Sequence, residues 1–246
     1  MREKLGLVIP TLNEEGNIGT LINRVRSNLT HLQLDYELIV VDDESTDATR
    51  KVVEEHMATD QRIRLLIRRG ERGLAGAVIY GWERTDADLL GVIDADLQHP
   101  PELLPSLIRA VADGRDMAVA SRYVTAGGVA EWNPIRRLIS LVSTWITMPL
   151  QRQEIRVRDP LSGFFIVRRN CVEGVELQRQ GFKLLLEILV RGKVRSVAEV
   201  PYQFGLRHAG TSKADLRVGL DYLQLLGRLS RDAFTSRDAI SKTGPA

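Results

Sequence analysis

The sequence predicts an α/β fold, a single domain whose mainly parallel central sheet is flanked by helices. Three observations predict it. Short, uniformly apolar runs recur along the first half of the chain, as strands buried on both faces require. Segments of helical period, about 10 to 15 residues long, separate them, which is the signature of βαβ units with right-handed crossovers. Two of the apolar runs end in paired carboxylates, as strands do when they deliver acids to the rim of an open sheet, where such folds bind ligands.

Leu5-Gly6-Leu7-Val8-Ile9, ended by Pro10, is the first strand. Thr11-Leu12-Asn13-Glu14-Glu15 then opens a helix, with Asn13 as its N-cap and Ile18, Leu21, Ile22 and Val25 facing inward. Leu38-Ile39-Val40-Val41 is the second strand; it runs into Asp42-Asp43, and Ser45-Thr46-Asp47 cap a helix through Val52 and Val53. Ile63 to Ile67 is the third strand. Gly73-Leu74-Ala75-Gly76-Ala77, beside Arg68, Arg69 and Arg72, opens the next helix, a place for phosphate or a turn kept glycine-rich for packing alone. Leu89 to Ile93 is the fourth strand, Glu102 to Val111 a helix, and Met117 to Ala120 a fifth strand ending at Ser121-Arg122-Tyr123.

After Gly127-Gly128 the character changes. Ile135 to Met148 reads as a helix with Leu138, Leu141, Val142 and Trp145 on one side and Ser140, Ser143, Thr144 and Thr147 mostly on the other. An apolar face carrying Trp behind Arg136-Arg137 fits a helix lying in a membrane interface (134–151), and it fits a core helix equally. Phe164 to Val167 returns to strand, Phe182 to Val190 is a strongly apolar helix, and Val194 to Phe204 is extended but broken by Pro201. Leu216, Leu220, Leu223 and Leu226 form a last helical stripe, so the chain divides into a catalytic unit, 1–213, and a C-terminal amphipathic helix and tail, 214–246.

The composition of this 246-residue chain, 43% hydrophobic and 27% charged, is that of a soluble globular domain. A net charge of +2 gives no global field for nucleic acid. Charge is nevertheless concentrated: Arg136, Arg137, Arg152, Arg156, Arg158, Arg168 and Arg169 face only Glu154 and Asp159 in that region, a block suited to an anionic ligand, a membrane surface or plain solvation. Cys171, the single cysteine, excludes an internal disulfide and a thiolate metal cluster. The longest charge-free stretch, Leu138 to Gln151, falls short of the ~20 residues that span a bilayer. A cytoplasmic location, peripheral on the cytoplasmic face of a membrane, is the expectation.

The chemistry gathers on Val92-Ile93-Asp94-Ala95-Asp96-Leu97-Gln98-His99-Pro100-Pro101-Glu102. Two carboxylates two residues apart on a strand point to one side and can share a cation; the bland alternative is a solvated acidic turn. Gln98 supplies a further amide oxygen, and hard oxygen donors favour Mg2+ or Mn2+ on a nucleotide diphosphate. Pro10-Thr11-Leu12-Asn13 after the first strand lacks the glycines of a dinucleotide site, no P-loop is present, and no Cys/His spacing suggests zinc. His99 reads as a turn residue and not as a base.

Ile9-Pro10-Thr11-Leu12-Asn13-Glu14, Val40-Val41-Asp42-Asp43 with Ser45 and Asp47, and Asp94-Ala95-Asp96-Leu97-Gln98-His99-Pro100-Pro101 resemble glycosyltransferase family 2, with its GT-A fold. Gly73 to Ala77, Ser121-Arg122-Tyr123-Val124, Asp159-Pro160-Leu161-Ser162-Gly163-Phe164-Phe165 and Phe204 to Lys213 resemble, more narrowly, its polyprenol-phosphate (dolichol-phosphate) mannosyltransferases. The matches run in family order from about Val8 to Lys213. The resemblance implies that Asp94, Asp96 and Gln98 hold the metal, and that Pro10, Leu12, Glu14, Asp42, Asp43, Asp94 and Ala95 line the donor nucleotide. It gives Asp96, Arg122, Arg136 and Arg207 to catalysis, and Arg122, Arg136, Ser162, Arg207 and Lys213 to the acceptor phosphate. One departure is Glu44, where the family usually has glycine.

The implied reaction is inverting transfer of mannose from GDP-mannose to a polyprenol or dolichol phosphate. A lipid phosphate is already anionic and attacks without a strong base, in keeping with the absence of a nucleophile dyad. The alternatives are a glucosyltransferase using UDP-glucose and a non-catalytic sugar-nucleotide-binding subunit. Access to the lipid calls for a membrane surface and leaves room for a membrane-anchoring subunit.

Overall fold

The computed structural model describes residues 3–124, 128–129, 142–179, 181, 183–204 and 224–230. Nine strands are described: β1 (Lys4–Thr11), β2 (Asp35–Asp42), β3 (Ile63–Ile67), β4 (Leu89–Val92), β5 (Met117–Ser121), β6 (Gly128–Val129), β7 (Phe165–Arg168), β8 (Val197–Pro201) and β9 (Gln203–Phe204). The helices are α1 (Ile18–Leu29), α2 (Thr49–Met57), α3 (Leu74–Trp82), α4 (Leu104–Ala112) and α5 (Leu184–Arg191), with a further helical stretch over 142–147. Seven strands form one sheet in the order β3-β2-β1-β4-β7-β5-β8, and β6 pairs with β9.

The uniform apolar runs are explained by the two cores. Leu5, Leu7, Ile9, Leu38 and Val40 face α1, α2 and α4 through Ile18, Leu21, Ile22, Val53, Leu104 and Leu107. The alternate residues Val8, Ile39, Val41, Leu90 and Val92 face α3 and α5 through Val78, Trp82, Leu185, Ile188 and Leu189. With helices on both faces, each strand position is an inside position. The Trp82 indole adds direction by donating to the Gly91 carbonyl at 3.1 Å, and its ring meets Phe165 edge-on at 6.1 Å.

The expected strands are all present, with one refinement of direction. β7 runs antiparallel between β4 and β5, pairing Val92 with Phe165 and Val119 with Phe165. Its amino end therefore lies at the carboxyl edge of β4, and the Asp159–Gly163 turn that precedes it reaches the acidic rim. β8 is parallel to β5, pairing Ser121 with Pro201, so Tyr202 emerges at the same edge. β1 has β2 on one side and β4 on the other, which makes the β1/β4 crevice the switch point where such sheets bind ligands.

The expected C-terminal stripe is partly a packing element. Leu226 and Leu229 are buried against Leu186 and Val190 of α5. Leu216, Leu220 and Leu223 lie outside the described residues.

Candidate active site

The loops after β1 and β2 are clasped together. Asn13, at φ 57°, donates its N–H to Ser45 Oγ (2.8 Å) and accepts the Thr46 N–H on Oδ1 (2.8 Å). It is therefore not the N-cap of α1, which begins after Asn17; a left-handed asparagine that ties two loops serves the rim instead. Glu14 N–H donates to Thr49 Oγ1 (2.8 Å), and its carboxylate accepts the Asn17 amide (2.9 Å). Pro10 and Leu12, both half-buried, flank this clasp.

The paired aspartates have separate tasks. Asp42 is fully buried and accepts the Ser45 N–H (2.9 Å), the Ser45 hydroxyl and Thr11 Oγ1 (3.2 Å), so its carboxylate holds the loop's shape from within. Asp43 takes Arg68 in a bidentate pair, Nε to Oδ1 at 2.8 Å and Nη2 to Oδ2 at 2.6 Å, and accepts the Gly73 N–H at 2.9 Å. That pair fastens the ends of β2 and β3 to the start of α3.

Glu44 stands at φ 61°, which explains in steric terms why glycine suits the position. Its carboxylate offsets the strain by accepting the Gly70 N–H at 3.0 Å. Glu44→Ala keeps the left-handed strain and loses the hydrogen bond, whereas Glu44→Gly loses both. Urea unfolding is expected to place the alanine variant about 1 kcal/mol below the glycine variant. Equal stabilities would remove the account.

The expected metal ligands lie just beyond β4, not on it. β4 ends at Val92, with one more hydrogen bond from Ile93 N–H to the Val8 carbonyl (3.1 Å). Asp94 to Gln98 form a turn in which Leu97 takes φ 61° and Gln98 N–H donates to Asp96 Oδ1 (3.1 Å). Asp94, Asp96 and Gln98 thus sit on a turn around buried Ala95 and not on alternate positions of a strand. Among the described residues no group of three or more His, Cys, Asp or Glu side chains could hold a metal ion unaided. Two carboxylates and an amide nevertheless fit a hard cation that keeps positions for phosphate oxygens, which is how Mg2+ is commonly held.

Behind this turn stands a layer in which the expected Arg122 and Ser162 are joined by residues to which sequence patterns assign no role. Gly163 touches Asp94 so closely that a Cβ there would meet Asp94 Oδ2 at 2.3 Å. Asp159, fully buried, grips Arg122 through Nε (2.8 Å), Nη2 (2.8 Å) and the backbone N–H (3.0 Å). Arg122 thus stands at the site with much of its donor set committed. Ser162 is buried and its hydroxyl accepts the Phe164 N–H at 3.2 Å, shaping the turn into β7. His99 lies in the bend after this turn, as expected, and is also a buried wall residue, edge-on to Phe164 (6.0 Å) and beside Tyr202 (5.6 Å). Burial pushes its imidazole down to about 4, so it stays neutral near pH 7. Burial also pushes the Tyr202 phenol up. The Lys183 ammonium is pushed down to about 8 by burial, with Arg122 adding to the depression and Asp94 and Asp159 opposing it. Asp159 was visible only as part of a motif, and Tyr202 and Lys183 carried no signal of their own. Arg136, Arg207 and Lys213 lie outside the described residues.

The model of glycosyl transferase family 2 matches residues 7–174. The chain belongs to glycosyl transferase family 2. Within reach of this family it is 42% identical over 231 residues to the dolichol-phosphate mannosyltransferase of Pyrococcus furiosus, covering 93% of this chain and 64% of that protein. It therefore spans just under two thirds of that relative's length. The dolichol-phosphate mannosyltransferase of Saccharomyces cerevisiae is 33% identical, with 93% of this chain and 88% of that protein covered. Among solved structures, glucosyl-3-phosphoglycerate synthase from Mycobacterium tuberculosis in complex with Mn2+, UDP and glucosyl-3-phosphoglycerate superposes with a TM-score of 0.68 at 20% identity, covering 94% of this chain and 80% of that one. The same enzyme with UDP alone gives 0.66. At that identity the likeness establishes the fold, which is GT-A.

Proposed function

We propose that the chain transfers mannose from GDP-mannose to a polyprenol or dolichol phosphate, with inversion and with Mg2+ or Mn2+ bound by Asp94, Asp96 and Gln98. The observation that supports the reading is the Asp94–Gln98 turn at the carboxyl edge of the sheet, backed by Gly163 against Asp94 and by Arg122 locked to Asp159, in a chain whose relatives bear the name dolichol-phosphate mannosyltransferase. When bound, the metal would supply Lewis-acid stabilisation of charge on the departing nucleoside diphosphate. The chain's own residues do the rest. Pro10, Leu12, Glu14 and the Asp42–Asp43 loop shape the nucleotide pocket. Arg122 contributes positive potential from a position fixed by Asp159, while Arg136, Arg207 and Lys213 are assigned to the acceptor phosphate. Neutral His99 is not needed as a base, because the lipid phosphate attacks as an anion.

The reading is tested with a donor panel of GDP-mannose, UDP-glucose and UDP-N-acetylglucosamine, each with a polyprenol phosphate and Mn2+. Mannosyl transfer is expected from GDP-mannose; preference for UDP-glucose would reassign the donor, and no transfer from any of them would remove the enzyme. Asp96→Asn is expected to lower the rate by roughly 10²–10³-fold with the melting temperature unchanged. Chelation of divalent metal should do the same, and undiminished activity in either case rejects the metal assignment.

Docking on a lipid surface belongs to the same proposal. No described helix is long and apolar enough to cross a membrane. The helical stretch over 142–147 is inverted relative to a soluble one: Val142, Trp145 and Ile146 point out, Trp145 with 76% of its surface exposed, while Thr144 and Thr147 point in. Apolar residues at i, i+3 and i+4 on the outside suit an interfacial helix. Trp145→Ser is expected to weaken co-flotation with anionic liposomes severalfold at low salt; equal flotation of both proteins excludes this face.

A further inference from the structure

Three strand ends close on the Asp94 carboxylate. From the entry to β7, Gly163 stands so near that a Cβ on it would lie 2.3 Å from Oδ2. From the bend after β4, the His99 imidazole presents Nδ1 to the same oxygen at 3.7 Å. From the end of β8, Tyr202 lays its ring beside that imidazole, with centroids 5.6 Å apart and planes tilted by 35°. Phe164, next to Gly163 in the chain, meets the imidazole edge-on at 6.0 Å. One dipeptide, Gly163-Phe164, therefore presses on Asp94 and also holds the ring that faces it.

The ring has little freedom. His99, Phe164 and Tyr202 are all buried, and the Tyr202 backbone is pinned by its N–H to the Ser121 carbonyl at 3.1 Å. A position that only had to be filled would suit Leu or Phe better, because a buried imidazole must be desolvated. The polar ring calls for a polar task. At 3.7 Å the pair is longer than an N–H···O hydrogen bond of about 2.7–3.2 Å, and hydrogen bonds at active sites commonly tighten only when ligand is bound. Carboxylates that hold a metal are themselves hydrogen-bonded, and that outer partner sets their orientation. With 27% of its side chain exposed, Asp94 has room to turn without one.

Resting on the reading of Asp94 as a metal ligand, we propose that His99 is its positioning residue: with the proton on Nδ1, the imidazole donates to Asp94 Oδ2 and sets the rotamer in which the carboxylate meets the cation. Phe164 and Tyr202 act one step farther out by fixing the ring. Asp94 is then restrained from two sides, by crowding from Gly163 and by a donor from His99.

The test is Mn2+ titration of the full chain in the presence of GDP, followed by electron paramagnetic resonance, beside calorimetry of GDP without metal, thermal unfolding and the transfer assay. Two variants separate donor from packing. His99→Leu keeps apolar bulk and removes the donor, whereas His99→Asn keeps an N–H near the position of Nδ1 and gives up the ring. Mn2+ affinity is expected to fall about 10-fold in His99→Leu and to stay within about threefold of wild type in His99→Asn, with metal-free GDP binding unchanged in both. Melting temperature should rank the other way, His99→Asn below His99→Leu, since asparagine leaves a gap beside Phe164 and Tyr202. A merely structural histidine gives the reverse, with Mn2+ affinity following stability. Wild-type Mn2+ affinity in His99→Leu, or a loss in His99→Asn as deep as in His99→Leu, overturns the proposal. A wild-type protein that binds Mn2+ but moves no sugar to lipid phosphate would sink the transfer reading and leave His99 to be judged on Mn2+ affinity alone. Failure of the wild type to bind Mn2+ would reject the metal assignment and the positioning role together.

Discussion

Replacing Gly163 with alanine is expected to abolish most transfer while leaving the fold in place. A Cβ at this position would lie 2.3 Å from Asp94 Oδ2, 2.8 Å from Cγ and 3.0 Å from Oδ1. Both carboxylate oxygens cannot stay where they are. Gly163 does not occupy a left-handed conformation, so alanine is acceptable to its backbone and the whole cost falls on Asp94. The aspartate has only two side-chain torsions, and turning it aside removes an oxygen from the proposed metal position. Misplacing one reacting component by about 1 Å costs on the order of 10²-fold in rate. Overpacking at a partly exposed side chain should cost only about 1–2 kcal/mol of stability. The expected result is a transfer rate down roughly 100-fold or more, with weakened Mn2+ binding and a melting temperature within a few degrees of wild type. A variant with normal rate and normal Mn2+ affinity would show that Asp94 is not held by this contact.

The contrast between Gly163 and the strands shows what a sequence pattern can carry. The strands were legible because burial on both faces imposes a local rule, and runs such as Leu38 to Val41 satisfy it without reference to any partner. Helical stripes such as Ile18, Leu21, Ile22 and Val25 were legible for the same reason. Strand direction obeys no local rule. Phe165 to Arg168 reads alike parallel or antiparallel, and only the antiparallel pairing with β4 brings the Asp159–Gly163 turn to the acidic rim.

The site was legible where a motif kept its acids close in the chain and obscure where the fold assembled it. Asp94, Asp96 and Gln98 stand out in the sequence as a strand-end pair with a following amide, whereas the structure places them on a turn after β4. Asn13 was misassigned as a helix cap because its true partners, Ser45 and Thr46, lie across a strand crossover. Lys183 was absorbed into an apolar helix pattern, since one cation at a helix start has no periodicity. The stretch over 142–147 is ambiguous in the sequence because period alone does not say which side of a helix faces the protein; in the structure Thr144 turns inward and Trp145 outward.

Asp159→Asn is the second large effect, and it is one of stability. Asp159 is fully buried and receives three donors from Arg122, two from the guanidinium and one from the backbone. Burial alone would lower the Arg122 pKa, and the hydrogen bonds and charge of Asp159 outweigh it and raise the pKa. Neutralising one partner leaves that charge buried without its counter-ion, a loss of about 3–5 kcal/mol. For a chain of this size that corresponds to a melting temperature lower by roughly 10 °C. The pair need not be a net source of stability, because desolvating both ions offsets much of their attraction. Replacing both, as Arg122→Met with Asp159→Leu, should therefore recover most of what Asp159→Asn loses. Thermal unfolding of the two proteins separates the accounts: recovery in the double variant marks the pair as a device for placing Arg122 at the rim, and a loss in the double variant as deep as in the single one would make it a stabilising contact in its own right. In either case the double variant should transfer poorly, since it has no cation at position 122.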